Sequence, residues 1–209
     1  MNLAKYIDYT LLKATATLAD IEKLCQEACQ YGFFSVCVNS SYVPLASQLL
    51  KGTDVKVCTV VGFPLGAMST QGKLYETSTA LTEGADEIDM VINLGLFLSG
   101  RTAKVLDEIA LLKQEIADKV LKVIIETCYL NDDQKRLASQ ICVDAGADFV
   151  KTSTGFGTRG ATLTDVQLIK EVVGDRAKIK ASGGIRNRET ALQYIDLGVS
   201  RIGASAILV

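Results

Sequence analysis

The sequence has 209 residues, 48% of them hydrophobic, which suffices for one domain with a substantial core and argues against a disordered chain. Lys and Arg total 22 against 24 Asp and Glu, a net charge of −2 with no basic block, so nucleic acid is not an expected partner. The absence of histidine excludes zinc sites built on His and a Ser-His-Asp triad.

No apolar run reaches the length needed to span a bilayer, and Lys5 and Asp8 interrupt any signal-peptide core, so no membrane partner is expected. Of the six cysteines, Cys25, Cys29, Cys37 and Cys142 sit in apolar or helical patterns, where the thiol packs as a small hydrophobe. Cys25 and Cys29 are one helical turn apart, which is not a zinc-ribbon spacing. A reduced, cytoplasmic protein without a disulfide framework is expected.

Short β-branched runs alternate with longer helical patterns. In chain order the sequence predicts a strand over Tyr6–Thr10, a helix over Thr17–Tyr31, a strand over Phe34–Val38 and a helix over Tyr42–Leu50. A strand over Lys56–Gly62, a helix over Ser69–Glu83, a strand over Glu87–Ile92 and a helix over Thr102–Ala117 follow. The second half reads as strands over Leu121–Thr127, Phe149–Ser153, Lys178–Ser182 and Arg201–Ala204, with helices over Asp132–Ala145, Thr164–Val173 and Arg188–Leu197. Thr17 and Asn131 are capping residues at helix starts, and Thr162 and Thr164 flank Leu163 at another. Gly32, Gly84, Gly146, Gly174 and Gly198 follow helices, where a left-handed residue is wanted. Three of these exits share one form, seen in Glu83-Gly-Ala-Asp86, Ala145-Gly-Ala-Asp148 and Leu197-Gly-Val-Ser200.

Eight strands alternating with helices predict a parallel β/α construction. At this length a closed (β/α)8 barrel is favoured over an open doubly wound sheet. A single domain over 1–209 is expected, with a weak first strand. Few residues follow the eighth strand, so its helix is expected to be missing or a single turn.

In such a barrel the reactive groups gather at the C-terminal strand ends. Three charged residues fall inside apolar strands near those ends: Asp89, Lys151 and Lys180. A charge there needs a partner or a task. An amine nucleophile must be neutral, and lowering a lysine from ~10.4 to ~7 costs roughly 4–5 kcal/mol. Burial and a second nearby cation supply that cost. One lysine then becomes the nucleophile, the other stays charged, and Asp89 moves protons. A lone strand lysine is more often structural. Period two also sets Lys178 beside Lys180, and Glu87 beside Asp89; nearness to the strand end favours Lys180 and Asp89.

Ser182-Gly-Gly-Ile-Arg186 lies between a strand and a helix, and Gly203-Ala-Ser205 follows the last strand. Backbone N–H groups at such positions bind phosphate, with the helix N-terminus adding favourable dipole. Arg186 either adds charge there or caps a helix. Gly62-Phe-Pro-Leu-Gly66 reads as a rigid strand exit. Lys73 and Glu76 read as a surface pair. Cys37 reads as core, on a face shared with Asn39 that is able to reach the pocket.

Together these segments resemble the deoxyribose-phosphate aldolases, a family of class I, Schiff-base aldolases. The resemblance rests on Ile7-Asp-Tyr-Thr-Leu-Leu12, Ser35-Val-Cys-Val-Asn39, Val61-Gly-Phe-Pro-Leu-Gly66, Gly84-Ala-Asp-Glu-Ile-Asp-Met-Val91 and Lys122-Val-Ile-Ile-Glu-Thr127. It rests most on Lys151-Thr-Ser-Thr-Gly-Phe156, Lys180-Ala-Ser-Gly-Gly-Ile-Arg186 and Arg201-Ile-Gly-Ala-Ser205. It runs nearly end to end and implies a (β/α)8 barrel, a lyase reaction without metal or cofactor, and small sugar-phosphate and aldehyde substrates in deoxyribonucleotide catabolism. The implied substrate is 2-deoxy-D-ribose 5-phosphate, cleaved to D-glyceraldehyde 3-phosphate and acetaldehyde. The resemblance makes Lys151 the Schiff-base lysine, Lys180 the lysine that depresses its pKa, and Asp89 a proton carrier. It places Asp8 and Cys37 in the pocket and Gly155, Gly183, Gly184, Arg186, Gly203 and Ser205 at the substrate's phosphate end. A homodimer is expected.

Departures from the family pattern are Tyr9 where His is usual, Arg159 where Gly is common and Ala206 where a second Ser often stands. Tyr9 is expected to alter a hydrogen bond beside Asp8, and Arg159 to reach the phosphate or only solvent. The sequence ends at Val209, so the tail that brings a Tyr to the active site in some members is expected to be lacking. Proton transfer would then rest on Asp89 and water. Two other readings stay open: another Schiff-base sugar-phosphate aldolase, and a barrel that binds sugar phosphate without turnover.

Overall fold

The computed structural model describes residues 2–206. Eight parallel strands close into one barrel in sequence order: β1 Ile7–Leu11, β2 Ser35–Val38, β3 Lys56–Val61, β4 Glu87–Val91, β5 Val120–Ile124, β6 Phe149–Lys151, β7 Lys178–Ser182 and β8 Arg201–Ala204. The helices are α1 Leu18–Tyr31, α2 Val43–Leu49, α3 Thr70–Thr82, α4 Leu94–Leu98, α5 Thr102–Ile116, α6 Asp132–Asp144, α7 Leu163–Val173 and α8 Arg188–Asp196. The architecture is the (β/α)8 barrel that the alternation predicts. No helix among the described residues is long and apolar enough to cross a membrane.

Local chemistry explains most boundaries. Thr17 and Asn131 form capping boxes at α1 and α6, and Thr162 accepts from the Asp165 N–H at α7. The five glycines expected at helix exits all take positive φ. Pro44 lies in the first turn of α2, where its missing N–H costs nothing. β5 ends at Ile124, three residues before the expected Thr127, because Glu126 turns left-handed and Thr127–Tyr129 form a 3-10 turn. Four short elements were not foreseen: α4 and the 3-10 turns Leu3–Tyr6, Ser40–Tyr42 and Thr127–Tyr129. The 3-10 turn Leu3–Tyr6 precedes β1, and α4 is too short, with Gly95 in it, to show a helical period. The expected absence or shortness of a helix after β8 concerns residues 207–209, outside the described ones.

Alternation along each strand divides the protein. Ile88, Met90, Leu121, Val123, Val150, Ile179 and Ala181 point outward into one apolar layer shared with the helices. Fully burying each of the larger side chains stabilises by about 1.5–3 kcal/mol. The opposite face carries Asp8, Glu87, Asp89, Lys122, Lys151, Lys180 and Arg201, all buried. Only Leu12, Cys37, Cys58 and Val60, with Phe63 packed on them, form a small separate apolar cluster. The barrel is therefore sealed by hydrocarbon outside and filled largely by charge within.

Candidate functional site: a charged barrel interior

The register sets the charges against one another. Asp89 on β4 pairs with Lys122 on β5, Ile124 with Lys151 on β6, and Lys151 with Lys180 on β7. β7 and β8 bring Lys180 beside Arg201, and β8 and β1 bring Gly203 beside Asp8. Paired residues share a face, so the inward charges meet.

The lowest layer centres on Arg201. Its guanidinium donates to Asp8 Oδ1 at 2.7 Å and to Glu87 Oε2 at 3.0 Å, and lies 3.4 Å over the Phe34 ring centroid. Ser35 Oγ adds a 2.6 Å hydrogen bond to Asp8 Oδ1. Above it, Lys122 Nζ lies 2.6 Å from Glu87 Oε2, 2.8 Å from Asp89 Oδ1 and 3.8 Å from Asp8 Oδ2. Lys180 Nζ reaches Asp8 Oδ2 at 2.5 Å and Asp89 Oδ2 at 2.7 Å. Lys151 Nζ has one carboxylate neighbour, Asp89 Oδ2 at 2.7 Å.

Burial by itself would push the Asp89 carboxyl up, but Lys122, Lys151 and Lys180 outweigh it and hold Asp89 well below the usual range. Asp8 is likewise held down against burial by Lys180, Lys122 and Arg201. Burial opposes charge on Lys180, yet Asp8 and Asp89 raise it above the ordinary lysine value, so it stays an ammonium at neutral pH. Lys122 is raised for the same reason by Asp89 and its other anionic neighbours. The interior thus buries four basic side chains, Lys122, Lys151, Lys180 and Arg201, against three carboxylates, Asp8, Glu87 and Asp89. One cation is in surplus, and Lys151 has the fewest anionic contacts.

A cavity of ≈ 310 Å³ opens above this layer. It brings together Lys151, Gly155, Gly183, Gly184, Arg186, Gly203 and Ser205, along with Thr10 and Lys13 of the β1 exit. Gly155, Gly183 and Gly184 have φ of 87°, 85° and 79°, which places their backbone where side chains are strained. Gly160 lies against Gly183 so closely that a Cβ would come 2.1 Å from its carbonyl oxygen. There the two loops meet backbone to backbone. Asn187, not Arg186, caps α8, leaving Arg186 exposed at the cavity rim. Asp8, Asp89, Lys180 and Cys37 lie beneath the cavity and do not line it.

Cys37 and Cys58 are register partners on β2 and β3. A hydrogen bond from Cys58 pulls the Cys37 thiol down against burial, while burial pushes Cys58 up. Donor atoms of Cys37, Cys58 and Asp89 lie within 4.8 Å of one another, a metal-like spacing. Lys122 Nζ already sits 3.3 Å from Cys58 Sγ and 2.8 Å from Asp89 Oδ1, and a divalent cation would add to a surplus of positive charge. The donor set suits ammonium groups and not a metal.

Three sequence expectations are corrected. Tyr9 does not alter a hydrogen bond at Asp8: it points outward, donates to Glu27 Oε2 at 2.7 Å and packs at a tilt against Phe33. Arg159 meets neither solvent alone nor the cavity; it binds Asp165 at 2.5 Å and reaches the Thr127 carbonyl at 3.5 Å. Lys73 is not a surface residue. It is fully buried, paired with Glu108 at 2.8 Å and donating to the Val91 carbonyl at 2.7 Å, while Glu76 accepts from the Gly62 N–H. Lys122 and Arg201 were missed as members of the site, and Glu87, set second to Asp89, belongs to it as well. Lys122 resembles Lys151, a charge in a β-branched run; it stands in the middle of β5, but near the start of the strand expected over Leu121–Thr127, where a charge reads as solvated.

The model of the DeoC/LacD family aldolases matches residues 3–208 of this chain. A deoxyribose-phosphate aldolase of Carboxydothermus hydrogenoformans is 57% identical over 98% of this chain and 92% of its own length. Among solved structures, a putative deoxyribose-phosphate aldolase from Coccidioides immitis superposes with a TM-score of 0.96 at 40% identity, covering 98% of this chain and 82% of that one. The deoxyribose phosphate aldolase of Aeropyrum pernix, described as having a unique tetrameric structure, gives 0.89 at 36% identity, covering 97% and 86%. With a match of this extent on a barrel of this kind, the chain belongs to the DeoC/LacD family of aldolases.

Proposed function

We propose that this protein is a deoxyribose-phosphate aldolase that cleaves 2-deoxy-D-ribose 5-phosphate reversibly to D-glyceraldehyde 3-phosphate and acetaldehyde, with Lys151 as the Schiff-base lysine. The observation that carries this reading is Lys151 itself, which lines the cavity floor and is the least compensated of the four basic groups inside the barrel. A buried surplus of positive charge is relieved when one amine gives up its proton.

Neutral Lys151 attacks the C1 aldehyde, and loss of water gives the iminium. Counting carbons fixes the bond that breaks: acetaldehyde keeps C1 and C2, so cleavage lies between C2 and C3, not between C3 and C4. The C3 hydroxyl proton leaves, C3 becomes the aldehyde of the three-carbon product, and the bonding pair flows into the iminium to form an enamine. Protonation at C2 and hydrolysis then release acetaldehyde and restore the amine. Ionised Asp89, acting through water, is the proton carrier, and Lys180 keeps the positive field over Lys151. The iminium polarises the substrate, so the residues need no metal to do so. Gly155, Gly183, Gly184, Gly203 and Ser205 offer the phosphate backbone N–H groups and a hydroxyl, with Arg186 and the α8 N-terminus adding charge. Asp8 holds Lys180, and Cys37 packs in the small apolar cluster beneath the cavity. The reading extends to residues 1–209 acting as one domain, in a cytoplasmic homodimer serving deoxyribonucleotide catabolism.

The test is retro-aldol turnover with product identification in wild type and Lys151→Ala. Acetaldehyde release that the variant lacks is the expected result. Release of a ketose fragment would move the assignment to another Schiff-base aldolase. Wild-type turnover no higher than the variant's would leave a sugar-phosphate binding protein.

A further inference from the structure

Glu126 is an anomaly that the cleavage chemistry leaves unexplained. It is a non-glycine residue in the left-handed region, with φ 52° and ψ 68°, at the C-terminal end of β5. It is also a carboxylate only 2% exposed. Strained backbone and a buried anion both cost stability, so something must fix them there. The ladder shows how the strain arises. Ile125 N–H donates to the Lys151 carbonyl and Thr127 N–H to the Thr152 carbonyl. Two steps along the β5 side therefore match one step along the β6 side, and Glu126 is the extra residue of a bulge beside Lys151. Bulges re-aim side chains next to active sites.

This bulge aims the Glu126 carboxylate into the loop after β6. The carboxylate accepts from the Thr154 hydroxyl, and from the Thr154 N–H at 3.3 Å. Thr154 Oγ1 in turn accepts from the Phe156 N–H at 3.0 Å. The relay from Phe156 through Thr154 to Glu126 spans Gly155, whose φ of 87° holds it at the cavity wall. On the far side, a Cβ at Gly157 would come 3.3 Å from Glu126 Oε1, so the carboxylate is enclosed by the loop it holds.

We infer that Glu126 is a positioning residue for the substrate's phosphate: it fixes Thr154 and so sets the Gly155 backbone over the cavity. A phosphate site built of backbone N–H groups has no side chain to adjust, so its geometry is set by whatever clamps the loop. Arg159 and Asp165 hold the loop's other end, and Ala161 N–H ties it to the Ser182 carbonyl at 3.0 Å. Glu126 is the clamp on the side of Lys151. This inference rests on the proposed aldolase reading and goes beyond it.

The experiment measures kcat and KM on deoxyribose 5-phosphate and on unphosphorylated deoxyribose, with inorganic phosphate binding by calorimetry. The proteins are wild type, Glu126→Gln, Glu126→Ala, Thr154→Val and Thr154→Ser. Losing the clamp is expected to raise KM for the phosphorylated sugar and weaken inorganic phosphate about tenfold, the scale of one hydrogen bond to a charged group. In both Glu126 variants, kcat on either sugar and borohydride trapping of acetaldehyde on Lys151 should stay near wild type. Thr154→Val should reproduce the KM rise, and Thr154→Ser, which keeps the hydroxyl, should restore wild-type KM. Unchanged KM and phosphate binding in folded Glu126→Ala overturn the inference, as does equal loss on both sugars or loss of trapping. If wild type itself fails to cleave or trap, the aldolase reading fails, and the phosphate measurement still decides the role of Glu126.

Discussion

The protein buries lysines both outside and inside the barrel, and Lys73 outside is built differently from the group within. Outside the barrel, Lys73 between α3 and α5 meets one carboxylate, Glu108, and one carbonyl, Val91, with Thr70 Oγ1 donating to the same carboxylate at 3.2 Å. Charge is matched one to one. Inside the barrel, four basic groups share three carboxylates, and Asp89 Oδ2 serves both Lys151 and Lys180. The first arrangement is finished. The second is short of one anion, and the shortage falls at the residue that faces the cavity. On the proposed reading, burial alone does not mark the reactive lysine; want of a matching carboxylate at the cavity floor does.

The contrast breaks most visibly at Lys151. Lys151→Ala is expected to lower kcat/KM by more than about 10⁴-fold while leaving thermal stability equal to wild type or higher, because Asp89 keeps Lys122 and Lys180 as partners. A melting scan beside the turnover assay checks both halves. Lys180→Met removes a cation that two carboxylates need, so activity should fall about 10²–10⁴-fold and the fold should weaken as well. Lys73→Met strands Glu108 in the core. It should cost about 3–5 kcal/mol in urea unfolding, with KM for deoxyribose 5-phosphate unchanged in the folded fraction. Arg186→Ala at the rim should raise KM for the phosphorylated sugar about tenfold at low salt and less at high salt, with little effect on the unphosphorylated sugar. The smallest effect concerns Asp165. Burial pushes its carboxyl up, but hydrogen bonds from Arg159, Lys135 and the Thr162 cap outweigh it and hold the group at about 2. A depressed carboxylate stabilises the fold above its unfolded value, and that contribution is lost as pH falls through the folded one. Arg159→Ala should therefore move the onset of acid unfolding to higher pH, read by circular dichroism.

Much of this was legible in the chain. The period-two runs and glycine exits give the barrel because parallel strands buried on both faces must be apolar outward, as at Ile88 and Met90. Asp89, Lys151 and Lys180 stood out because each interrupts such a run. Glu87 and Arg201 did not, since each opens its strand, and Lys122 falls near the start of the strand expected over Leu121–Thr127; only barrel closure brings Arg201 on β8 to Glu87 on β4. The Lys73–Glu108 pair was illegible for a related reason: its members are 35 residues apart, and the i, i+3 neighbour Glu76 offered a simpler partner. Glu126 gave no signal, because a left-handed bulge at a glutamate has no sequence signature.

The central claim is that Lys151, and no other buried lysine, is the amine that reacts. Limiting acetaldehyde with borohydride, followed by proteolysis and mass mapping, tests it directly. The account predicts an ethyl group on Lys151, with Lys122, Lys180 and Lys73 unmodified. Modification of Lys180 or Lys122 with Lys151 intact, or no stable adduct above a denatured control, would contradict it.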